Sequence, residues 1–174
     1  MNGKQYDAIV AFPFGKAVRH KSANWHIAMR AIILASIHSV PVVAHERLPI
    51  KTIARKYAEG AKVRELSIEL IGGETILDAA GNFYAFAGRE TWKNILLVSM
   101  PFVSERCVRD IGKASGGRFN VTPESELQRL SVSTWFSRSE KRLSARHPLI
   151  FGMSEFGLRM LPWAAYEALA KSKP

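Results

Sequence analysis

Ile95-Leu96-Leu97-Val98-Ser99 is an unbroken apolar run closed by a hydroxyl residue. Too short for a helix and rich in branched side chains, it reads as a strand covered on both faces, the pattern of a parallel sheet. Pro101 follows at once. A proline fits the first turn of a helix, so the spacing predicts a helix from Pro101 through Ile111, with Gly112 beyond it.

Working back toward the N-terminus, the same unit recurs. Tyr6-Asp7-Ala8-Ile9-Val10-Ala11-Phe12 is a second nearly continuous apolar run, ended by Pro13-Phe14-Gly15. Ser22 can cap the helix that follows, whose apolar positions Ile27, Ala28, Ala31, Leu34 and Ala35 recur at helical spacing. Val40-Pro41-Val42-Val43-Ala44 reads as the next strand, with Pro41 at its start and His45-Glu46-Arg47 as a polar loop. A helix opens at Pro49 and stops at Gly60. Residues 63–71 hold a third strand with Leu66, Ile68 and Leu70, broken by Gly72-Gly73. A third helix begins near Glu74 and carries Ile76, Ala79, Ala80, Phe83 and Ala87 inward, and Gly88 closes it.

Strand and helix therefore alternate through a fifth strand expected within residues 116–121. Parallel neighbours need crossover connections, so the pattern predicts an α/β fold: a doubly wound, Rossmann-like, mostly parallel sheet flanked by helices. Beyond it, Thr122-Pro123-Glu124 reads as the start of a polar helix running toward Arg146. Leu149 to Met153 reads as an extra strand, and a last helix begins near Pro162. The expectation is one domain over 1–174, with a sheet core over 1–121 and a mainly helical extension over 122–174 packed on it. The extension's apolar residues, Trp135 and Trp163 among them, are expected to be buried within the chain. The alternative is an exposed patch for a partner subunit or membrane, aided by Arg138, Lys141, Arg142 and Arg146.

The composition excludes several classes. Apolar residues make up 47% and charged residues 23%, a globular balance that argues against extensive disorder. No segment is long enough to cross a bilayer, and Asp7 interrupts a signal-peptide reading. Cys107, the single cysteine, cannot form an internal disulfide, which fits a reducing, cytoplasmic setting. The net charge of +10 is read either as a solvated basic surface or as a sign of an anionic partner: nucleic acid, an acidic membrane surface or a phosphorylated small molecule. Basic residues are spread along the chain rather than gathered in an arm. The oligomeric state is left open.

In open parallel sheets ligands bind outside the C-terminal strand ends, at the point where strand order reverses. That directs attention to the loops after strands one, three and four. The first carries Gly15, Lys16 and Arg19, a basic rim for an anion, though without the G-x-G-x-x-G or P-loop pattern. The third carries Gly72 and Gly73, which permit a sharp turn, then Glu74, Thr75 and Asp78 at a helix N-terminus, where free N–H groups suit an anion. The alternative there is ordinary helix capping. The fourth contributes Ser99 and Arg106. The five histidines lack metal-ligand spacing, and no G-x-S-x-G elbow is present, so no metal site is expected and catalytic residues stay unknown.

Three segments carry a family resemblance: Asp7-Ala8-Ile9-Val10, Thr75-Ile76-Leu77-Asp78-Ala79, and the run from Ile95 through Ser99 to Phe102 and Arg106. In that order, over roughly the first two-thirds of the chain, they resemble the YdcF/SanA-like family of bacterial α/β proteins. The resemblance implies a Rossmann-like fold and a nucleotide-like ligand, with S-adenosylmethionine bound in one branch. It carries Thr75, Ser99 and Arg106 over as site residues. The chain departs from the family pattern at its first loop, Phe12-Pro13-Phe14-Gly15. It departs again at Ala44-His45-Glu46, at Leu77 and Asp78, and at Val103 where the family has a histidine. The sequence thus leads to a small-molecule-binding protein for a nucleotide-like or anionic ligand, with a nucleic-acid- or partner-binding module as the alternative.

Overall fold

A computed structural model describes residues 6–15, 22–61, 66–136 and 147–172. Lys16 and Arg19 lie outside the described residues. Five strands form one all-parallel sheet: β1 (Ala8–Ala11), β2 (Val42–His45), β3 (Ile68–Ile71), β4 (Asn94–Val98) and β5 (Asn120–Pro123). Their order is β3-β2-β1-β4-β5. Strand order thus reverses between β1 and β4, the two runs that read as buried from the sequence. Every β1 residue and Ile95 to Val98 of β4 are buried.

Crossover helices cover both faces. The helices α1 (Ala23–His38) and α2 (Ile50–Ala61) pack on each other, as do α3 (Ile76–Ala87) and α4 (Pro101–Ala114). Local chemistry fixes their starts. Ser22 caps α1, accepting from the Trp25 N–H at 3.4 Å, and Pro101 opens α4. Thr75 and Asp78 form a reciprocal capping box at α3. At the opposite edge of the sheet, the Asp7 carboxylate accepts from the N–H groups of Lys93 and Asn94 at 2.8 and 2.7 Å, tying the starts of β1 and β4 together.

Beyond β4 the structure corrects several expectations. The fifth strand lies at 120–123, not within 116–121, and Thr122-Pro123 ends it rather than starting a helix. Pro123 is tolerated because β5 is an edge strand, where a missing donor leaves no neighbour unpaired. Over residues 126–135 a 3₁₀ turn (Glu126–Arg129) and a single helical turn, α5 (Val132–Trp135), stand in place of the expected polar helix, whose remainder toward Arg146 lies outside the described residues. Glu124 makes the break: its carboxylate accepts from the N–H groups of Glu126 and Leu127 and pairs with Arg30 of α1 at 2.9 Å. The expected strand at Leu149–Met153 is the first half of α6 (Pro148–Met160). A five-residue apolar run does not separate strand from helix, and the period continuing through Phe156 and Met160 decides for helix. After it comes α7 (Trp163–Lys171).

The extension joins the core through aromatic rings. Phe14, after β1, meets Phe136 and Phe151 edge-on at centroid distances of 5.7 and 5.3 Å. Trp135 is buried as expected. Trp163 is only half-buried, against Tyr166 and beneath the Arg109 and Lys113 cations. The outer side of α6 is exposed, contrary to the expectation that the extension's apolar residues would be buried.

Candidate functional site

A cavity of about 320 Å³ lies at the C-terminal ends of the strands. Phe12 to Gly15 after β1 form one side. His45 and Arg47 at the end of β2, with Gly73 to Ile76 after β3, form a second. Val103 and Arg106 of α4 contribute a third, and α6 and α7 cover it with Phe151, Glu155, Leu158 and Tyr166. Its volume is at the low end of the ~300–1,000 Å³ typical of small-molecule sites.

Histidine 45, the last residue of β2, is buried. The Arg47 N–H donates to its Nδ1 at 3.1 Å, which leaves the ring proton on Nε2, and Nε2 in turn donates to the Gly73 carbonyl at 2.8 Å. Burial depresses its pKa below the ordinary value, so the ring is a neutral strut between the loops after β2 and β3. Gly73 has φ +146°, and a Cβ there would lie 2.6 Å from the Ala79 backbone N. Only glycine lets this loop sit against the first turn of α3.

The cationic groups are both paired. Arg47 meets Glu74 at 3.1 Å on the solvent side. Arg106 Nε donates to Glu155 at 2.9 Å, with side chains 14% and 5% exposed. Burial works against the charged Arg106, but Glu155 and Tyr166 overcome it and its pKa is raised. Behind Arg106, Tyr166 donates its hydroxyl to the fully buried Asp110, and the Arg109 guanidinium stacks 4.2 Å from the Tyr166 ring centroid.

Of the sequence-predicted residues, Gly15, Gly73, Glu74, Thr75 and Arg106 line this one cavity. Gly72, Asp78 and Ser99 are not among its lining residues. Asp78 accepts from the N–H and hydroxyl of Thr75 at 3.0 and 2.9 Å, so at α3 the capping alternative holds and the chain's own carboxylate occupies the helix N-terminus. Ser99 is buried, its hydroxyl turned to the Met100 carbonyl at 3.5 Å. Cys107 is core: burial pushes its thiol up to about 12, which keeps it protonated.

Sequence reasoning passed over His45, Arg47, Glu155 and Tyr166. His45 had a readable signal, a polar residue directly after the apolar strand Val42-Val43-Ala44, at the same sheet edge as the other loops. Glu155 and Tyr166 had none, because they come from helices whose placement over the edge depends on tertiary packing. Among the described residues no cluster of metal-binding side chains occurs, and no helix is long and apolar enough to cross a membrane. No family model, curated protein or solved structure matches the chain.

Proposed function

We propose that the cavity at the C-terminal strand ends binds a small anionic or nucleotide-like ligand. The observation that carries this reading is the meeting of Arg47 and Arg106 in one cavity, beside the point where strand order reverses. Arg47 is held by one solvent-facing ion pair, a contact worth ~0–1 kcal/mol, so a ligand carboxylate or phosphate can compete for it. Arg106 commits Nε to Glu155 and also bonds the Tyr166 side chain, so it adds a fixed positive charge to the cavity wall beside the more readily released Arg47. Phe12, Phe14 and Phe151 supply apolar surface for a ring. The resemblance to the YdcF/SanA-like family points to the same ligand class, with S-adenosylmethionine as one candidate. Lys16 and Arg19 follow Gly15 in the sequence and stay candidates on that ground alone, since they lie outside the described residues. Gly72 belongs to this reading as the partner of Gly73 in the turn. Asp78 and Ser99 act through Thr75 and the end of β4.

A thermal-shift screen of inorganic phosphate, mononucleotides, S-adenosylmethionine and sugar phosphates tests the proposal. A compound that binds the native state raises the melting temperature by mass action. The expected result is a shift for an anionic compound that is lost in Arg47→Glu. A screen without any shift, or a shift unchanged in Arg47→Glu and Thr75→Ala, would sink the placement.

A further inference from the structure

The two sides of α6 do different things. Phe151, Glu155 and Leu158 face the cavity. On the opposite side Leu149, Met153, Phe156 and Met160 are 83%, 77%, 66% and 69% exposed. Isolated exposed apolar residues are ordinary, but four large ones in a continuous line on one helix are not. Their spacing is four, three, four. That is the seam of a helix made to pack along another helix, with knobs entering holes at a shallow crossing angle.

The chemistry around the seam selects its occupant. Helices that lie on anionic membranes carry Lys and Arg along the polar face. The one basic residue of α6, Arg159, is already bound to Glu105 and Glu155. Within α6 and α7 themselves Glu155 and Glu167 balance Arg159 and Lys171, so these two helices carry no net charge although the chain is +10. Two copies can meet here without bringing their excess charge together. Gly152 and Gly157 flank the seam, and a Cβ at either would meet nothing within 4 Å, which leaves room for close approach of a second backbone. A neutral apolar seam is also complementary to itself, as a two-fold contact requires.

We propose that α6 is the interface between two copies of this chain, paired antiparallel about a two-fold axis between Met153 and Phe156. Leu149 of one copy then lies against Met160 of the other. Because the inner side of α6 covers the cavity, pairing braces that cover in both copies at once. The contact is a single helix seam, so the pairing is weak and depends on concentration.

Sedimentation velocity of the full chain from 5 to 500 µM tests this, with circular dichroism to follow folding. The wild type is expected to pass from a 19.4 kDa monomer to twice that mass across the range. Met153→Glu/Phe156→Glu is expected to stay monomeric throughout, as is the independent pair Leu149→Glu/Met160→Glu. These positions are exposed in the single chain, so both variants should keep the wild-type spectrum. A wild type that is monomeric at 500 µM overturns the proposal. So does a dimer that survives either folded double variant. Co-sedimentation of monomer with phosphatidylserine-containing vesicles, without dimer in solution, would assign the seam to a membrane and overturn it equally.

Discussion

Arg106 of α4 and Glu155 of α6 form a buried ion pair, Nε to Oε1 at 2.9 Å, at the point where the extension closes over the sheet edge. The pair does two jobs. It anchors α6 onto the core, and it fixes the guanidinium at the cavity wall. Through this pair the extension forms part of the cavity wall.

Removing Glu155 should cost more than the pair's net contribution, because Arg106 would stay buried without its counter-ion. A buried pair broken on one side loses ~3–5 kcal/mol. Glu155→Ala is expected to show that loss in urea unfolding, and Glu155→Gln a smaller one, since an amide oxygen still accepts from Nε. Equal stability of Glu155→Ala and wild type would show that α6 is not anchored here.

Tyr166 reports on the same junction. Burial, the hydrogen bond to Asp110 and the Asp110 charge push its phenol up to about 12. Its pKa is raised on folding, so its contribution is whole below pH 10 and is lost as pH rises through about 12. A tyrosinate absorbance titration should show a component near pH 12 in the wild type that is missing in Tyr166→Phe. That variant should also lose ~1–3 kcal/mol at neutral pH, because Asp110 keeps its burial and loses a donor.

His45 makes stability depend on mild acid. Its folded pKa lies below 6.5, so the unfolded chain takes up the proton first. Its contribution is complete above pH 6.5 and falls away as pH drops through the folded value. Urea midpoints between pH 5 and 7.5 should slope more steeply in wild type than in His45→Gln, which keeps a donor for the Gly73 carbonyl. Identical slopes would remove His45 as the titrating strut.

Two glycines should respond in opposite directions. Gly73→Ala meets the Ala79 backbone and an unfavourable φ, with strain of ~1–3 kcal/mol. Its melting temperature should fall by about 2–4 °C per kcal/mol for a chain of this size. Gly81, inside α3, has open space at its Cβ, so Gly81→Ala should gain ~0.5–1 kcal/mol. Calorimetry of the two variants side by side checks both signs.

The sheet was legible because its evidence is local. Ala8–Ala11 and Ile95–Val98 are buried and read as continuous apolar runs, while Ser22, Thr75 and Pro101 each mark a helix start through their own chemistry. The extension was less legible because its structure is decided at a distance. Thr122-Pro123 looks like a helix start, yet the pairing of Leu97 with Pro123 holds it in the sheet, and Glu124 turns the chain toward Arg30. The site was half legible. Strand-end loops identify Gly15, Gly73, Glu74 and Thr75, but Glu155 and Tyr166 reach the cavity only through the packing of α6 and α7 on α4.

A small anion bound at the C-terminal strand ends would perturb the backbone amides around the cavity. Amide chemical-shift mapping on ¹⁵N-labelled protein, titrated in turn with inorganic phosphate, adenosine monophosphate and S-adenosylmethionine, tests it most directly. Saturable shifts are expected for at least one of them, concentrated at Gly15, Arg47, Gly73 and Thr75 around the cavity. No saturable shift with any of the three, or shifts gathered at the opposite sheet edge around Asp7, Lys93 and Asn94, would contradict it.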